Sequence, residues 1–510
     1  MRQTHMTAIV PMTLLVILTP LAGFAQARSC ESLSSLTLPG TTIELAQSVA
    51  PGDLILPRPF GQNAWADLPT FCRVVATLTP SSDSNIGIEV WLPLGGWNGN
   101  YQAVGNGGWA GSISYGGMGE ALRRGYATSS TDTGHTGGGG ASFALGHPEK
   151  LIDFASRSVH EMALKTKAII EAFYGTPPRY SYWYGCSTGG RQGLVEAQLF
   201  PGDFDGIIAD APAIDQMLLN VWYIWAAQAT LKDPASYIPR WKYSVIHDAV
   251  LQACDAMDGV TDGVVDDPRR CRFDPVVLTC DGADTPTCLT APQVEAARKI
   301  YTGPVNPRTL QQIAPGLEPG SEQGWATLAG GPNPNGIGDT YFKFVVFEET
   351  NWDFRTLDFD RDVRLAQQID DGLLAATNPD LTEFASRGGK LILIHGWCDQ
   401  FISPRHSIDY YESVVERTGS TERTADVMRL FLAPGMNHCG GGAGPNTFDA
   451  LTLIEQWVEQ GRAPDRMIAS HLTQGVVDRT RPLCPYPQVA RYRGTGSTDE
   501  AANFACVDPN

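Results

Sequence analysis

Positive charge is scarce in this chain. Lys and Arg total 37 against 55 Asp and Glu, so the formal net charge is −18. A surface of that sign repels phosphate backbones and anionic headgroups, which argues against nucleic acid and anionic membranes as partners. Long apolar runs are also lacking: after Phe24 none reaches the length of a bilayer span. No segment repeats, which leaves out solenoid architectures. The stretch Gly105-Asn-Gly-Gly-Trp-Ala-Gly111 has neither the lysine nor the spacing of a phosphate-cradling loop.

What is present describes an exported globular protein. Its 510 residues, 43% of them hydrophobic, suffice for a large core in one domain or two. Arg2, the apolar run Met6–Phe24 broken by Pro11 and Pro20, and Ala25-Gln-Ala27 form a secretion leader with its cleavage pattern. The mature chain is therefore expected to start near Arg28, secreted or periplasmic. Eleven cysteines suit an oxidising compartment, and the odd count leaves at least one free or paired between chains. Cys254/Cys271, Cys280/Cys288 and Cys484/Cys506 read as local pairs, although spacing does not prove connectivity.

Residues 28–80 show little periodicity. Strands are predicted at Ile86–Leu92, Tyr101–Val104 and Tyr126–Ser130. A long helix is predicted over Pro148–Tyr174, with proline in its first turn and Gly175 as its stop. Strand Tyr180–Tyr184, helix Arg191–Leu199 and strand Phe204–Ala209 follow. From about Pro212 to Asn378 prolines, tryptophans and the two local cysteine pairs interrupt the rhythm, which reads as an insertion. The pattern resumes with strand Lys390–Ile394, helix Arg405–Glu416, strand Val427–Leu432 and helix Phe448–Val458. Alternating strands and helices imply a parallel sheet with crossover helices. The tail is rich in proline and glycine.

The chemistry gathers at Gly185-Cys-Ser-Thr-Gly189. A strand ending in G-x-S-x-G and opening a helix is the nucleophile-elbow pattern, which lifts one hydroxyl clear of the sheet. With 54 glycines in the chain, chance nearly supplies such a match, so its surroundings must carry the argument. A nucleophilic serine needs a base, and the base an orienting carboxylate, in the chain order Ser, Asp or Glu, His. Of the five histidines after Ser187, His438 lies in the loop after the last predicted strand. His395 comes before any suitable acid, and His406 lies on a helix. Asp399 follows strand Lys390–Ile394. The candidate triad is thus Ser187, Asp399 and His438; the plainer alternatives are a helix-capping aspartate and a satisfied loop histidine. The glycine loop is either a turn or the donor of one N–H to an oxyanion, from Gly107 or Gly108, beside the N–H of Thr188.

Cysteines flank both ends of that triad: Cys186 precedes the serine and Cys439 follows the histidine. If Ser187 and His438 share a hydrogen bond, a Cys186–Cys439 disulfide would tie the elbow to the base loop; otherwise the two are unrelated buried thiols. A further stretch, Cys254-Asp-Ala-Met-Asp-Gly-Val-Thr-Asp-Gly-Val-Val-Asp-Asp267, spaces carboxylates between glycine turns. Such a loop either wraps a hard cation or is an exposed acidic turn; it has neither EF-hand spacing nor the terminal Glu.

The Cys-Ser and His-Cys pairs with an Asp between them, together with G-C-S-T-G-G-R-Q-G at 185–193, F-P-x-D-F-D-G at 200–206 and G-x-x-H-C at 435–439, resemble the tannase/feruloyl esterase family, which also contains a terephthalate monoester hydrolase. The resemblance runs over most of the mature chain. It implies an α/β-hydrolase core (28–212 and 379–510) with a lid (213–378) inserted after the elbow, whose tryptophans are candidate walls for an aromatic acid. It implies disulfides Cys30–Cys72, Cys186–Cys439, Cys254–Cys271, Cys280–Cys288 and Cys484–Cys506, leaving Cys398 free as a small buried filler. It implies a structural calcium ion on Asp255, Asp258, Asp262 and the carbonyls of Val260 and Val264. The expected activity is serine hydrolysis of feruloyl-type aromatic esters, free or polysaccharide-linked. Tannase or terephthalate monoester hydrolysis is the alternative within the family. Outside it stand a binding protein on a hydrolase scaffold and a peptidase, the latter without any recognised signature.

Overall fold

The computed structural model describes Met1 and residues 29–56, 65–329 and 333–509. The predicted leader falls outside the described residues. Among the described residues nine strands make the central sheet: β1 (Thr41–Val49), β2 (Phe71–Leu78), β3 (Ile86–Pro93), β4 (Tyr101–Val104), β5 (Ala127–Thr131), β6 (Ser181–Cys186), β7 (Gly206–Asp210), β8 (Lys390–Gly396) and β9 (Met428–Ala433). Their order is β1-β2-β3-β5-β4-β6-β7-β8-β9.

The sheet is mixed, not wholly parallel as expected. β1, β2, β3 and β5 pair antiparallel, and pairing from β5 through β9 is parallel. The first strands lay hidden in the stretch without periodicity. β1 is an edge strand with a register shift between Ile43 and Leu45, so its alternation breaks midway. The parallel strands were legible because both their faces are buried, which makes them near-continuous apolar runs. Tyr182, Ile208, Ile392, Ile394 and Phe431 pack on one face. Trp183, Ile207, Leu391, Leu393 and Leu430 pack on the other. Each such side chain contributes about 1.5–3 kcal/mol by leaving water.

The helix expected over Pro148–Tyr174 is not uniform. It runs as α-helix to Ile152, widens into a π-turn at Asp153–Arg157, and resumes as α-helix over Ser158–Tyr174. Between β7 and β8 the described residues hold helices and loops and no strand. The chief helix there, Gln216–Leu231, starts on Asp215, whose Oδ1 accepts the Leu218 N–H at 2.9 Å. This insertion shares a core with the sheet domain: Trp109, Ala141 and Phe154 pack with Met217, Val221, Tyr341 and Phe342. Trp222 and Trp325 are 2% and 0% exposed, so they serve as core of the insertion and not as pocket walls. The tail, expected only to be proline- and glycine-rich, forms two hairpins, β10 (Met467–Thr473) with β11 (Val476–Leu483) and β12 (Val489–Tyr492) with β13 (Phe504–Val507). Among the described residues no helix is long and apolar enough to cross a membrane.

Candidate active site

β6 ends at Cys186, and the helix Thr188–Leu199 begins one residue after Ser187. Ser187 has φ 63° and ψ −121°, a conformation that costs a non-glycine residue about 1–3 kcal/mol and so needs external restraint. The restraints are visible. Ser187 N–H donates to Asp210 O at 2.9 Å, and Ser187 O accepts from Ala213 N–H at 3.1 Å. Gly185 must be glycine: a Cβ there would lie 2.4 Å from the Gly189 carbonyl carbon.

Two side chains of the G-G-R-Q-G run, which sequence reading used only as a signature, hold this turn in place. Arg191 is fully buried, and its Nη1 donates to Ala155 O at 2.9 Å, a carbonyl within the π-turn. A π-turn redirects carbonyls from their usual helical partners, which supplies the acceptor. Gln192 reaches the glycine loop, accepting Asn106 N–H at 3.1 Å and donating to Asn106 Oδ1 at 3.1 Å. The loop is fastened again by Gly189 N–H to Asn106 O at 2.7 Å and by Thr188 Oγ1–H to Gly108 O at 2.7 Å. Among the described residues the N–H groups of Gly107, Gly108 and Thr188 have no acceptor.

The predicted acid and base are in contact. His438 Nδ1 is 2.7 Å from Asp399 Oδ2. Asp399 is fully buried and accepts three more hydrogen bonds: Phe401 N–H at 2.8 Å, Ile402 N–H at 2.9 Å, and His395 Nε2 at 3.1 Å. Burial pushes its pKa up, but the charge of His438 and the bonds from both histidines outweigh that and hold the carboxyl well below the usual range. For His438, burial disfavours the imidazolium; the Asp399 carboxylate, then Asp210, outweigh it and raise the pKa. His395 stands before the acid in the chain and is not expected to be the base. The structure gives it another place: its ring is fully buried behind Asp399, with Nδ1 2.7 Å from Ser407 Oγ. The spacing His395-x-x-x-Asp399 across a strand end was the available signal.

Cys186 and Cys439 are disulfide-bonded, with Cα atoms 5.9 Å apart. A ring nitrogen of His438 lies within 4.8 Å of both sulfurs. Ser187 and His438 are therefore held on two loops joined covalently beside them. Cys439 also has positive φ, 62°, so both sides of the bridge carry a strained residue. Ser187 Oγ itself makes no hydrogen bond among the described residues; such contacts often tighten only with substrate bound. The other disulfides are Cys30–Cys72, Cys254–Cys271, Cys280–Cys288 and Cys484–Cys506, and Cys398 is free. Burial pushes the Cys398 thiol up to about 12, which removes it as a nucleophile.

In the acidic loop, Asp255 accepts Asp262 N–H at 3.1 Å and Gly263 N–H at 3.0 Å, so it staples the loop to itself. Burial and the charge of Asp262 raise the Asp258 pKa; burial raises that of Asp262, against the pull of Arg481 and Arg479. Asp266, absent from the expected set, is pushed up to about 7 by burial and by Asp258. This donor set suits a hard cation in kind. Asp262 is also hydrogen-bonded by Arg481 and lies 3.5 Å from Arg479 Nη1, so part of the countercharge is already supplied by protein.

A mostly parallel sheet, an elbow serine after a central strand, and a His–Asp pair carried on the loops after the last two strands define an α/β-hydrolase. Comparison with known proteins narrows the class. The family model "Tannase and feruloyl esterase" matches residues 72–507, and the chain belongs to that family; it is a carboxylic ester hydrolase. It is 42% identical to an uncharacterized esterase of Xanthomonas campestris pv. campestris, over 97% of this chain and 94% of that protein. It is 36% identical to a probable feruloyl esterase of Arthroderma benhamiae, over 98% of each. The crystal structure of feruloyl esterase B from Aspergillus oryzae superposes with TM-score 0.87 at 30% identity, covering 94% of this chain and 99% of that one. Tannin acyl hydrolase from Aspergillus niger gives TM-score 0.75 at 25% identity, covering 93% of each.

Proposed function

We propose that this esterase hydrolyses feruloyl-type aromatic esters through Ser187, His438 and Asp399. The observation that carries the reading is the His438–Asp399 hydrogen bond, set beside the elbow serine by the Cys186–Cys439 bridge. His438 Nε2 takes the Ser187 proton as Oγ attacks the ester carbonyl carbon. Asp399, ionised and fully hydrogen-bonded, steadies the imidazolium. The oxyanion is received by Thr188 N–H and by the N–H of Gly107 or Gly108, which have no competing acceptor. His438 then passes its proton to the departing alcohol, leaving an acyl-serine. Water, deprotonated by the same histidine, cleaves the acyl-enzyme and restores Oγ–H.

The feruloyl class is preferred over galloyl and terephthalate monoesters because the probable feruloyl esterase and feruloyl esterase B match at higher identity than the tannin acyl hydrolase. The deciding experiment is turnover of methyl ferulate, methyl gallate and a terephthalate monoester by wild type and Ser187→Ala. Methyl ferulate is expected to give the highest kcat/KM, and the variant to lose about 10⁴-fold or more. A variant with wild-type turnover removes the serine mechanism, and a preference for methyl gallate reassigns the substrate.

Two accompanying proposals concern the setting. The protein is exported: five disulfides fit an oxidising compartment, and the leader pattern supplies the route. Calcium binds the acidic loop through Asp255, Asp258, Asp262 and the carbonyls of Val260 and Val264. Its role would be structural, neutralising like charges and fixing the loop; no catalytic step uses it.

A further inference from the structure

Asp210 ends β7 and has no part in the mechanism above. It is 3% exposed, and its Oδ1 has no hydrogen-bond partner among the described residues. The parallel register of β6 and β7 pairs Asp210 with Cys186. On β7, Ile207 and Ala209 pack on one face and Ile208 on the other, so Asp210 follows Ile208. On β6, Trp183 packs on that first face and Tyr182 on the second, so Cys186 follows Tyr182 and stands on the same face as Asp210. The Cys186 sulfur in turn lies within 4.8 Å of a His438 ring nitrogen. A buried carboxylate with one oxygen unpartnered among the described residues is thus a close neighbour of the base, one strand nearer the serine than Asp399.

We propose that Asp210 is a second carboxylate serving His438: alongside Asp399 it steadies the imidazolium formed during turnover, and it sustains part of the activity when Asp399 is lost. Asp210 does not touch substrate in this scheme; it is a positioning and electrostatic residue acting through His438.

The charged and titratable groups around Asp210 set its behaviour. They are His438 from the loop after β9, Asp399 from the loop after β8, and Tyr184 from β6. Burial raises the Asp210 pKa, His438 pulls it down and Asp399 pushes it up, to about 7 overall. The site thus holds one firmly ionised carboxylate and one that changes charge near neutrality. Removing the charge of Asp399 removes its repulsion and favours ionised Asp210. Asp210 is then better able to compensate.

The inference rests on His438 being the base, and the test separates the two. Full-length wild type, D210N, D399N and the double variant are assayed on one methyl aromatic ester across the pH range, with D210S as a second replacement. In D210N the acid limb of kcat, set by His438, is expected to move down by about half to one pH unit. Plateau kcat should fall about three- to tenfold with KM unchanged. Adding D210N to D399N should cost about a further tenfold. The shape of a pH profile does not depend on how much enzyme is folded, so poor yield cannot imitate the shift. D210N and D210S profiles that overlay wild type, or a double variant no slower than D399N, overturn the proposal. If Ser187→Ala is inactive while D210N is unchanged, this inference alone fails; if Ser187→Ala is active, the triad itself fails.

Discussion

The bridge between Cys186 and Cys439 is the feature whose loss is most informative, and C186S/C439S is the perturbation. The bridge closes a loop with a sequence separation of 253 residues. Chain-entropy bookkeeping gives roughly 5.5 kcal/mol for a loop of that length, through −2.1 − 1.5R ln n. The two disulfides inside the loop have separations of 17 and 8. Subtracting them leaves 253 − 17 − 8 = 228 residues, which changes the logarithm so little that the figure stays near 5 kcal/mol. An unfolding entropy of about 2.1 cal/mol/K per residue amounts to about 1 kcal/mol/K over the described chain, so Tm should fall by about 5 °C. Stability is only half of the expectation. Ser187 and Cys439 both have positive φ, near 63° and 62°, and sit at opposite ends of the bridge. Without it the base loop can relax away from the serine, and a shift of about 1 Å costs about 10²-fold in kcat. Scanning calorimetry reads the first effect and steady-state kinetics on methyl ferulate the second. A lower Tm with kcat intact would mean that the bridge stabilises the fold without aligning the site. An unchanged Tm and kcat together would refute the reasoning.

Other expectations are checked more simply. The proposed base, His438, must be neutral to act, and Asp399 raises its pKa from 6.5, so the acid limb of kcat/KM should lie above pH 6.5. The same shift has a stability sign: the His438 contribution is complete below pH 6.5 and is lost as pH rises through the raised folded value, while that of Asp399 is present above the ordinary carboxylate pKa and is lost only in strong acid. His395→Ala should lower kcat about tenfold and reduce Tm, since it removes the buried donor behind Asp399 and leaves a cavity; an unchanged kcat would make His395 packing alone. Chelation with EDTA should lower Tm, and calcium at 100 times its Kd should restore about 2.7 kcal/mol. A Tm indifferent to both would leave the countercharge of Asp262 to Arg479 and Arg481.

The sequence by itself determined the family and the central strands, and nominated the catalytic residues. Lys390–Ile394 and Phe204–Ala209 were legible because strands buried on both faces admit almost nothing polar, so position in the sheet is written directly into composition. The elbow was legible because close approach of Gly185 to Gly189 tolerates no Cβ. Ser187, Asp399 and His438 could be nominated because the order of strands fixes the order in which loops arrive at one sheet edge. Tertiary structure decided what depends on neighbours far apart in the chain. β1 was not legible because an edge strand with a shifted register loses its period. The π-turn was invisible because its acceptor role for Arg191 exists only once two helices meet. His395 behind Asp399 left only a four-residue spacing as its signal, and Asp210 beside Cys186 left none, since nothing in its local sequence distinguishes a fully partnered buried carboxylate from one with a bare oxygen. That difference is made by packing, which sets the distance, the dielectric and the charge that each group meets.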